Sequence, residues 1–494
     1  MLGLVLPVSL QAGQISLMDA LEQTLSRHPQ IKISEQLVEG GRALRQQALG
    51  PFDTVLQGNV LQTHQHDPIL TGTLNGLESR SSDITTAGAT ATRLLGNGVS
   101  LESQLDVNRT AEYLLPTGLN TTQLAFQVRL PLLRGRGRAA VESELNAAGL
   151  EVDARLYELN QTISDLLAVA ASSYWQYVAA MRILDVFRES EDRGKIYMEN
   201  VQTLIEASRI PRNDIYQVRA NLGARAANRA AAEQNVIEAR QQLALSMGLS
   251  ATELESLGDP ADNLPAGMPA SGLNREKYVN QAIARRGDLR ASRTREDAGR
   301  VLIEGRKNQI KPQVDLVFRT GYSGLREGTG PADLLSSPFR GVQGADVVAG
   351  ISYQFPRGNH EALGRLAESQ ANLRITELRT ADLTRQIASN TIAALGAVEN
   401  AAARVREIER SVADFQAALS GEREKYQLGR SSLIDVLTLE DRLTSAASSR
   451  VDAELAYAIA LVRLRQATST IIKPDEQVHT IDRTIFFNLP SETQ

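Results

Sequence analysis

The side chains in this sequence that could do chemistry are carboxylates at the starts of helices. The stretch "EKYQLGRSSLIDVLTLEDRL" (424–443) reads as a helix that stops, turns on Gly429 and restarts, with Asp435 just inside the new helix. A looser copy, "LIEASRIPRNDIYQVRANL" (204–222), puts Asp214 in the same place 221 residues earlier. An aspartate there can cap its helix, since Ser432-x-x-Asp435 is a capping box and Pro211 ahead of Asp214 marks a helix start. It can also supply a fixed negative charge at an opening; the two roles do not exclude each other. Elsewhere, His64 and His66 share a strand face and either meet solvent as a pair or bind a metal, for which no third ligand stands at a suitable spacing. Arg134, Arg136 and Arg138 in "RGRGR" either grip lipid phosphates or form a solvated junction. "YWQY" (174–177) reads as helix packing. With no phosphate loop, no Ser/His/Asp constellation and no acid pair of inferable distance, the sequence predicts neither an enzyme nor a cofactor or metal site.

The elements that hold these residues follow from composition and periodicity. Of 494 residues, 42% are hydrophobic and 22% charged, yet only 4% are aromatic, which suits long, closely packed helices more than a thick core. A net charge of -5 implies no nucleic-acid partner. Zero cysteines exclude disulfides and thiolate metal sites, and are compatible with an oxidising compartment. The leader "MLGLVLPVSLQAGQ" has an apolar run, Leu2 to Leu6, and small residues at Ala12 and Gly13, but no basic start. Residues 1–13 read either as a truncated signal peptide or as a plain apolar leader. Nowhere are there 18 consecutive apolar residues, so any membrane crossing must use strands.

Four stretches carry a strand signature: 52–65, 121–133, 312–324 and 345–356. In "LAFQVRLPL", Leu124, Phe126, Val128 and Leu130 alternate with Gln127 and Arg129, the pattern of a barrel strand with one face for lipid and one for water, and also that of a half-buried soluble strand. Residues 85–109 predict a further hairpin turning on Gly96-Asn97-Gly98, without showing whether it joins a sheet. Two runs without internal proline, about Arg138 to Glu206 and about Glu361 to Leu428, predict helices of roughly 100 Å each. Val398, Val405, Val412, Leu419 and Tyr426 recur every seven residues, as do Ile163, Ala170, Tyr177, Leu184, Met198 and Ile205 with Glu191 as the one break. A shift of 221 residues superposes these seams and their turns, and "LEQTLSRHPQIKISEQ" (21–36) matches "VNQAIARRGDLRASRT" (279–294) at a shift of 258.

The chain therefore reads as an internal duplication, mainly α with a membrane β-barrel: four or more strands per chain in a shared barrel, and antiparallel coiled-coil helices forming an α-barrel tunnel. The first repeat spans 14–258, with strands within 52–133, a tip turn at 207–214 and a helix to about 247. The second spans 259–470, with helices at 275–309 and 361–428, strands within 312–356 and a tip turn at 429–435; residues 471–494 form a tail. Each repeat opens with a helix of about 30 residues. Four strands cannot close a barrel alone, so other copies are needed.

In its duplicated order, its "ALEQTLSRHPQI" opening, its "LPLLRGRG" strand-to-helix junction and its Gly-x5-Asp-Val-Leu tip (Gly429 to Leu437), the chain resembles the TolC family of outer-membrane efflux and secretion channels from about Ile15 to Thr470. The resemblance implies a homotrimer in the outer membrane of a Gram-negative bacterium. Its 12-stranded barrel continues into a 12-helix periplasmic tunnel, and it works with a periplasmic adaptor (membrane fusion protein) and an inner-membrane transporter of RND or ABC type. It also implies a gate at the tip, with Asp214 as the acid of the first hairpin, Tyr426 as the tyrosine that reaches an aspartate, and Asp435 as an acidic ring. Two positions depart from the family: its link-forming arginine falls on Ser431, with Arg430 one place early, and a second acid falls on Thr438. The hairpin at 85–109 and the loop from Leu325 to Gly344 are additions near the barrel. The competing reading is a periplasmic adaptor or coiled-coil scaffold, which needs one hairpin flanked by soluble β-domains where this chain duplicates both hairpin and strands.

Overall fold

The structure, a computed structural model, describes residues 13–71, 76–112, 115–207, 211–250, 253, 257–267, 272–472 and 483–490. The chain divides into two compact units, one formed by 1–38, 155–291 and 379–494 and the other by 39–154 and 292–378. Each unit takes segments from both sequence repeats.

The second unit holds a six-stranded antiparallel meander: β1 (Val55–Thr71), β2 (Gly76–Leu94), β3 (Ser100–Glu112), β4 (Leu115–Pro131), β5 (Gln313–Glu327) and β6 (Val342–Gln354), paired in that order. Six strands lie within the four or more read from sequence: the hairpin at 85–109, whose place in a sheet the sequence alone leaves open, is part of this one, as β2 and β3. Its pattern was weak for a physical reason: one face of β2 is built from Ala87, Ala89 and Ala91, which alternate with Thr and Gly and give little contrast in polarity. Its turn needs glycine. Gly98 has φ +94°, and a Cβ there would lie 1.9 Å from the Gly135 carbonyl oxygen.

Register sorts the sheet into two faces. Leu56, Val60, Leu105, Phe126, Phe318, Val347 and Ile351 lie on one, with Gln57, Asn59, Glu102, Asp106, Arg129, Asp315 and Asp346 on the other. The apolar face is open: Leu56 is 78% exposed, Val60 80% and Ile351 72%. So large an exposed apolar face on a sheet is a lipid-facing surface. The loop after β5 is shorter than the 325–344 read from sequence and contains a helix, α8 (Pro331–Arg340), whose buried Ser337 hydroxyl bonds Thr122 Oγ1 at 2.7 Å.

The helices are α1 (Leu17–Arg27), α2 (Pro29–Gln47), α3 (Arg138–Val141), α4 (Ser143–Glu206), α5 (Asp214–Ser246), α6 (Arg275–Arg285), α7 (Gly287–Gln309), α9 (His360–Gln427) and α10 (Leu433–Ala467). The single helix of about 30 residues expected in each repeat is broken in two. His28 is extended (ψ 122°) because Pro29 excludes the helical conformation from the residue before it. Arg286 is extended as well (ψ 125°) just before Gly287, where a Cβ would come within 2.4 Å of the Tyr157 carbonyl oxygen. The first long helix likewise starts with a separate turn, α3, ended at Glu142.

In the first unit α9 turns a heptad seam inward: Val398, Val405, Val412 and Leu419 are buried, Leu395 and Ala402 with them, and Ala401 and Ile408 are partly covered. Across from Val398 and Val405 stand Ala453, Tyr457, Leu461 and Leu464 of α10. Tyr174, Trp175 and Tyr177 of α4 are fully buried in a larger core with Leu17, Leu21, Leu243 and Phe486. The Tyr174 hydroxyl donates to Asp262 Oδ2 at 2.9 Å. The predicted tail also packs here, since Ile471, Ile472 and Phe486 are buried.

Because Val405 is only 1% exposed and lies in an apolar seam, a carboxylate there has no partner. Val405→Asp is expected to cost several kcal/mol and to lower the melting temperature of the helical signal in circular dichroism. A variant that melted like the parent would place Val405 outside the core.

Candidate functional site

The second tip is built by rules legible in single residues. α9 ends in a Schellman motif: the Gly429 N–H donates to the Tyr426 carbonyl (3.0 Å) and the Arg430 N–H to the Lys425 carbonyl (2.8 Å). Gly429 takes φ +72°, the left-handed conformation that glycine adopts without strain. Three residues later Ser432 caps α10, its hydroxyl accepting from the Asp435 N–H while the Asp435 carboxylate accepts from the Ser432 N–H and hydroxyl. That capping box holds the Asp435 carboxyl below the usual aspartate range, first through the Ser432 hydroxyl and then through its amide. Asp435 is exposed, so it caps its helix and still presents a negative charge at the tip.

The other predicted tip residues are close in the chain but only partly joined. Ser431, where the family has an arginine, donates its hydroxyl to Glu422, whose carboxyl is held low by Ser431 and then Lys425. Arg430 is exposed. Thr438 is exposed and its hydroxyl donates back to the Ile434 carbonyl at 2.8 Å. Asp214 is the first residue of α5, and its N–H donates to the Pro211 carbonyl at 3.2 Å. Tyr426 packs onto Val201, Val218, Leu433 and Leu437, a small core that joins the two hairpins. Burial raises the Tyr426 phenol pKa, with a smaller push from the Asp214 charge, yet no hydrogen bond joins the two within the chain. The Tyr426 hydroxyl is buried and meets no hydrogen-bond partner among the described residues.

Eleven residues beyond Gly429, the structure shows a site that sequence reading missed. Glu440 of α10 is fully buried, and its carboxylate receives Arg193 Nε of α4 at 3.0 Å and Arg423 Nη2 of α9. Arg225 of α5, only 4% exposed, lies 3.8 Å from it and also donates to the Ser190 carbonyl (2.9 Å), Asn221 (2.6 Å) and Asp441 (3.1 Å). One residue from each of four helices thus meets at a single carboxylate. A signal for it was present: Glu440 follows Val436 and Leu437 at the spacing where a buried face continues, and Glu191, the break in the first seam, is itself paired to Arg229 at 2.5 Å.

The remaining candidates resolve simply. Arg134 is held by Gln313 (2.9 Å) and Arg138 by Glu142 (3.2 Å), and both Arg136 and Arg138 are exposed. His64 pairs with Asp83 at 2.5 Å and stacks edgewise on His66, and among the described residues no group of three metal-binding side chains is assembled.

An antiparallel sheet with one exposed apolar face, in one chain with two long helical hairpins, is the arrangement that the sequence resemblance implies. Residues 278–470 match the outer membrane efflux protein family. Solved structures agree in fold over most of the chain. The outer-membrane channel OprN is 17% identical, with a TM-score of 0.67 over 92% of this chain and 89% of that one. The CmeC outer membrane channel of Campylobacter jejuni is 13% identical, with 0.66 over 93% and 87%. The outer membrane protein VceC of Vibrio cholerae is 14% identical, with 0.65 over 92% and 95%. Among curated proteins none matches the sequence. The chain is therefore similar over part of its length to the outer membrane efflux protein family, and it shares the fold of these outer-membrane channels.

Removing the charge of Glu440 takes away the one buried carboxylate around which Arg193, Arg225 and Arg423 gather. Glu440→Gln is expected to destabilise the helical unit by about 3–5 kcal/mol, read as a shift in denaturant midpoint. Asp435→Asn at the exposed tip should shift it far less, and equal shifts would mean that Glu440 is not the centre of the cluster.

Proposed function

We propose that the protein is the outer-membrane conduit of a tripartite efflux pump or type I secretion system: a passive homotrimer, gated at its helical tip, that works with a periplasmic adaptor and an inner-membrane transporter of RND or ABC type. The observation that carries this reading is the open sheet, with one face for lipid, one for water, and two edges that no strand of the same chain pairs among the described residues. In lipid each unpaired backbone group costs several kcal/mol, so only a ring of copies makes such a sheet stable. A periplasmic adaptor accounts for a single hairpin but not for a duplicated one beside an apolar-faced sheet. Energy for transport comes from the inner-membrane partner, since the conduit itself holds no group assigned to a chemical step.

At the gate, copies of Asp435 around the opening hold fixed negative charge and favour cations, and their depressed pKa keeps them ionised at neutral pH. The buried Tyr426 hydroxyl and Asp214 are the groups through which one copy links to the next in the closed state. Arg430, Ser431 and Thr438 complete the rim.

Asp435→Asn is expected to lower cation preference, seen as a smaller reversal potential across a salt gradient in planar bilayers, whereas Ser432→Ala, which removes the cap and keeps the charge, should not. Unchanged selectivity in Asp435→Asn would make that residue a helix cap only. Tyr426→Phe combined with Asp214→Ala should raise resting conductance, because links to charged groups are worth about 1.5–3 kcal/mol each and symmetry multiplies the loss. A double variant as tightly closed as the parent would remove both residues from the gate.

A further inference from the structure

The two open edges of the sheet carry enough information to say how one copy meets the next. A line drawn through the register from Leu56 of β1 passes Ala91, Ser103, Phe126 and Thr320 and reaches Val347 of β6. The strand ends nearest the helices fall progressively further from that line: Val55 is one residue away, Pro131 five and Gln354 seven. The sheet is therefore staggered. A stagger of this kind is what a closed barrel requires, since its strands must tilt.

We propose that β6 of one copy pairs antiparallel with β1 of the next in the register that places Tyr353 opposite Leu56, and that three copies close an 18-stranded barrel. The register rests on the stagger, and the count of three rests on the trimeric reading above. Four observations select this register. It brings the end of β6 level with the start of β1. It sets the repeat at six residues, Val347 to Tyr353, which is about 20 Å of rise over six strand spacings of about 4.8 Å, a tilt of roughly 35° and within the range of membrane barrels. It pairs all 13 residues of β6, Val342 with Asp67 through to Gln354 with Val55. An unstaggered edge, with Val347 opposite Leu56, would pair seven and leave the rest of β6 bare in lipid.

The fourth observation is side-chain fit. Small residues fall opposite larger ones along the seam: Gly58 opposite Ile351, Gly350 opposite Asn59, Ala349 opposite Val60 and Gly344 opposite Gln65. Faces also match. Leu56 and Tyr353 both belong to the apolar face, and Gln57 and Ser352 to the polar one, so the lipid belt and the water-filled lumen continue across the join. A barrel of 16 to 18 strands encloses an aqueous channel, so its lumen, lined by Glu102, Asp106, Arg129 and Arg319, is wide.

The chain has no cysteine, which makes the register directly testable. Leu56→Cys with Tyr353→Cys, and separately Gln57→Cys with Ser352→Cys, cover the two alternating classes of antiparallel pair, only one of which suits a disulfide. Oxidation of the full-length protein in outer-membrane vesicles should, for at least one pair, abolish the monomer band on non-reducing gels and give a covalent series ending at three chains. The control Leu56→Cys with Val347→Cys should leave the monomer band intact. A cross-linked control with unlinked test pairs would overturn the register while leaving a trimer, measured by native mass, in place. A test pair whose series ended at two chains would overturn the 18-strand count and, with it, the trimeric reading.

Discussion

Everything in the second unit depends on one constraint: a peptide group in hydrocarbon must find its hydrogen bond within protein. A helix meets this by itself, and no helix of the described residues is long and apolar enough to cross a membrane. The chain instead exposes a sheet whose lipid-facing side is built from Leu, Val, Phe, Ile and Ala. That choice postpones the solution, since the inner strands satisfy one another while β1 and β6 each keep one bare side. The same backbone requirement shapes the tips, where the carbonyls left over at the end of α9 are taken up by Gly429 and Arg430 and the amides at the start of α10 by Ser432.

The helical unit solves a different problem by different means. Its seams are apolar and thin, with alanine at many contacts, so that helices approach closely but each layer contributes little burial. Glu440 and the three arginines around it interrupt that scheme. A buried ion cluster adds less stability than a well-packed apolar layer, but it tolerates only one arrangement of its four helices. On one side of it along the chain lies the tip, held by a core of four buried residues; on the other the seams run on without a charged break of this kind in α9.

Much of this was legible in the sequence, and the misses share a cause. Heptad positions such as Val398 and Val405, the glycine turn at 429 and the Ser432–Asp435 box are local patterns, and local patterns survive without neighbours. The hairpin at 85–109 was legible from its glycine turn, but not its place in the sheet, because alanine and threonine differ too little in polarity to mark two faces and strand pairing is a long-range fact. The breaks at His28 and Arg286 follow from a proline and a close approach to Tyr157, of which only the first is written in the chain. Glu440 continues the buried face of α10, but that alone does not reveal its partners. Its burial depends on arginines 247, 215 and 17 positions away, and no period within α10 predicts them. The resemblance implies that Tyr426 reaches an aspartate, and within the described residues its hydroxyl meets none.

The β2–β3 hairpin leaves the sheet and returns to it at the same end, through a turn only a few residues long that rests on Gly135. Strands can therefore be gained or lost here in pairs, with every later strand keeping its direction and every helix its entry point. The number of strands becomes a stepwise, heritable variable, separable in sequence from the residues of the helical tips. A lineage that gains or loses the segment Gly76–Glu112 changes the number of strands in the sheet while leaving the sequence of both helical tips as it was.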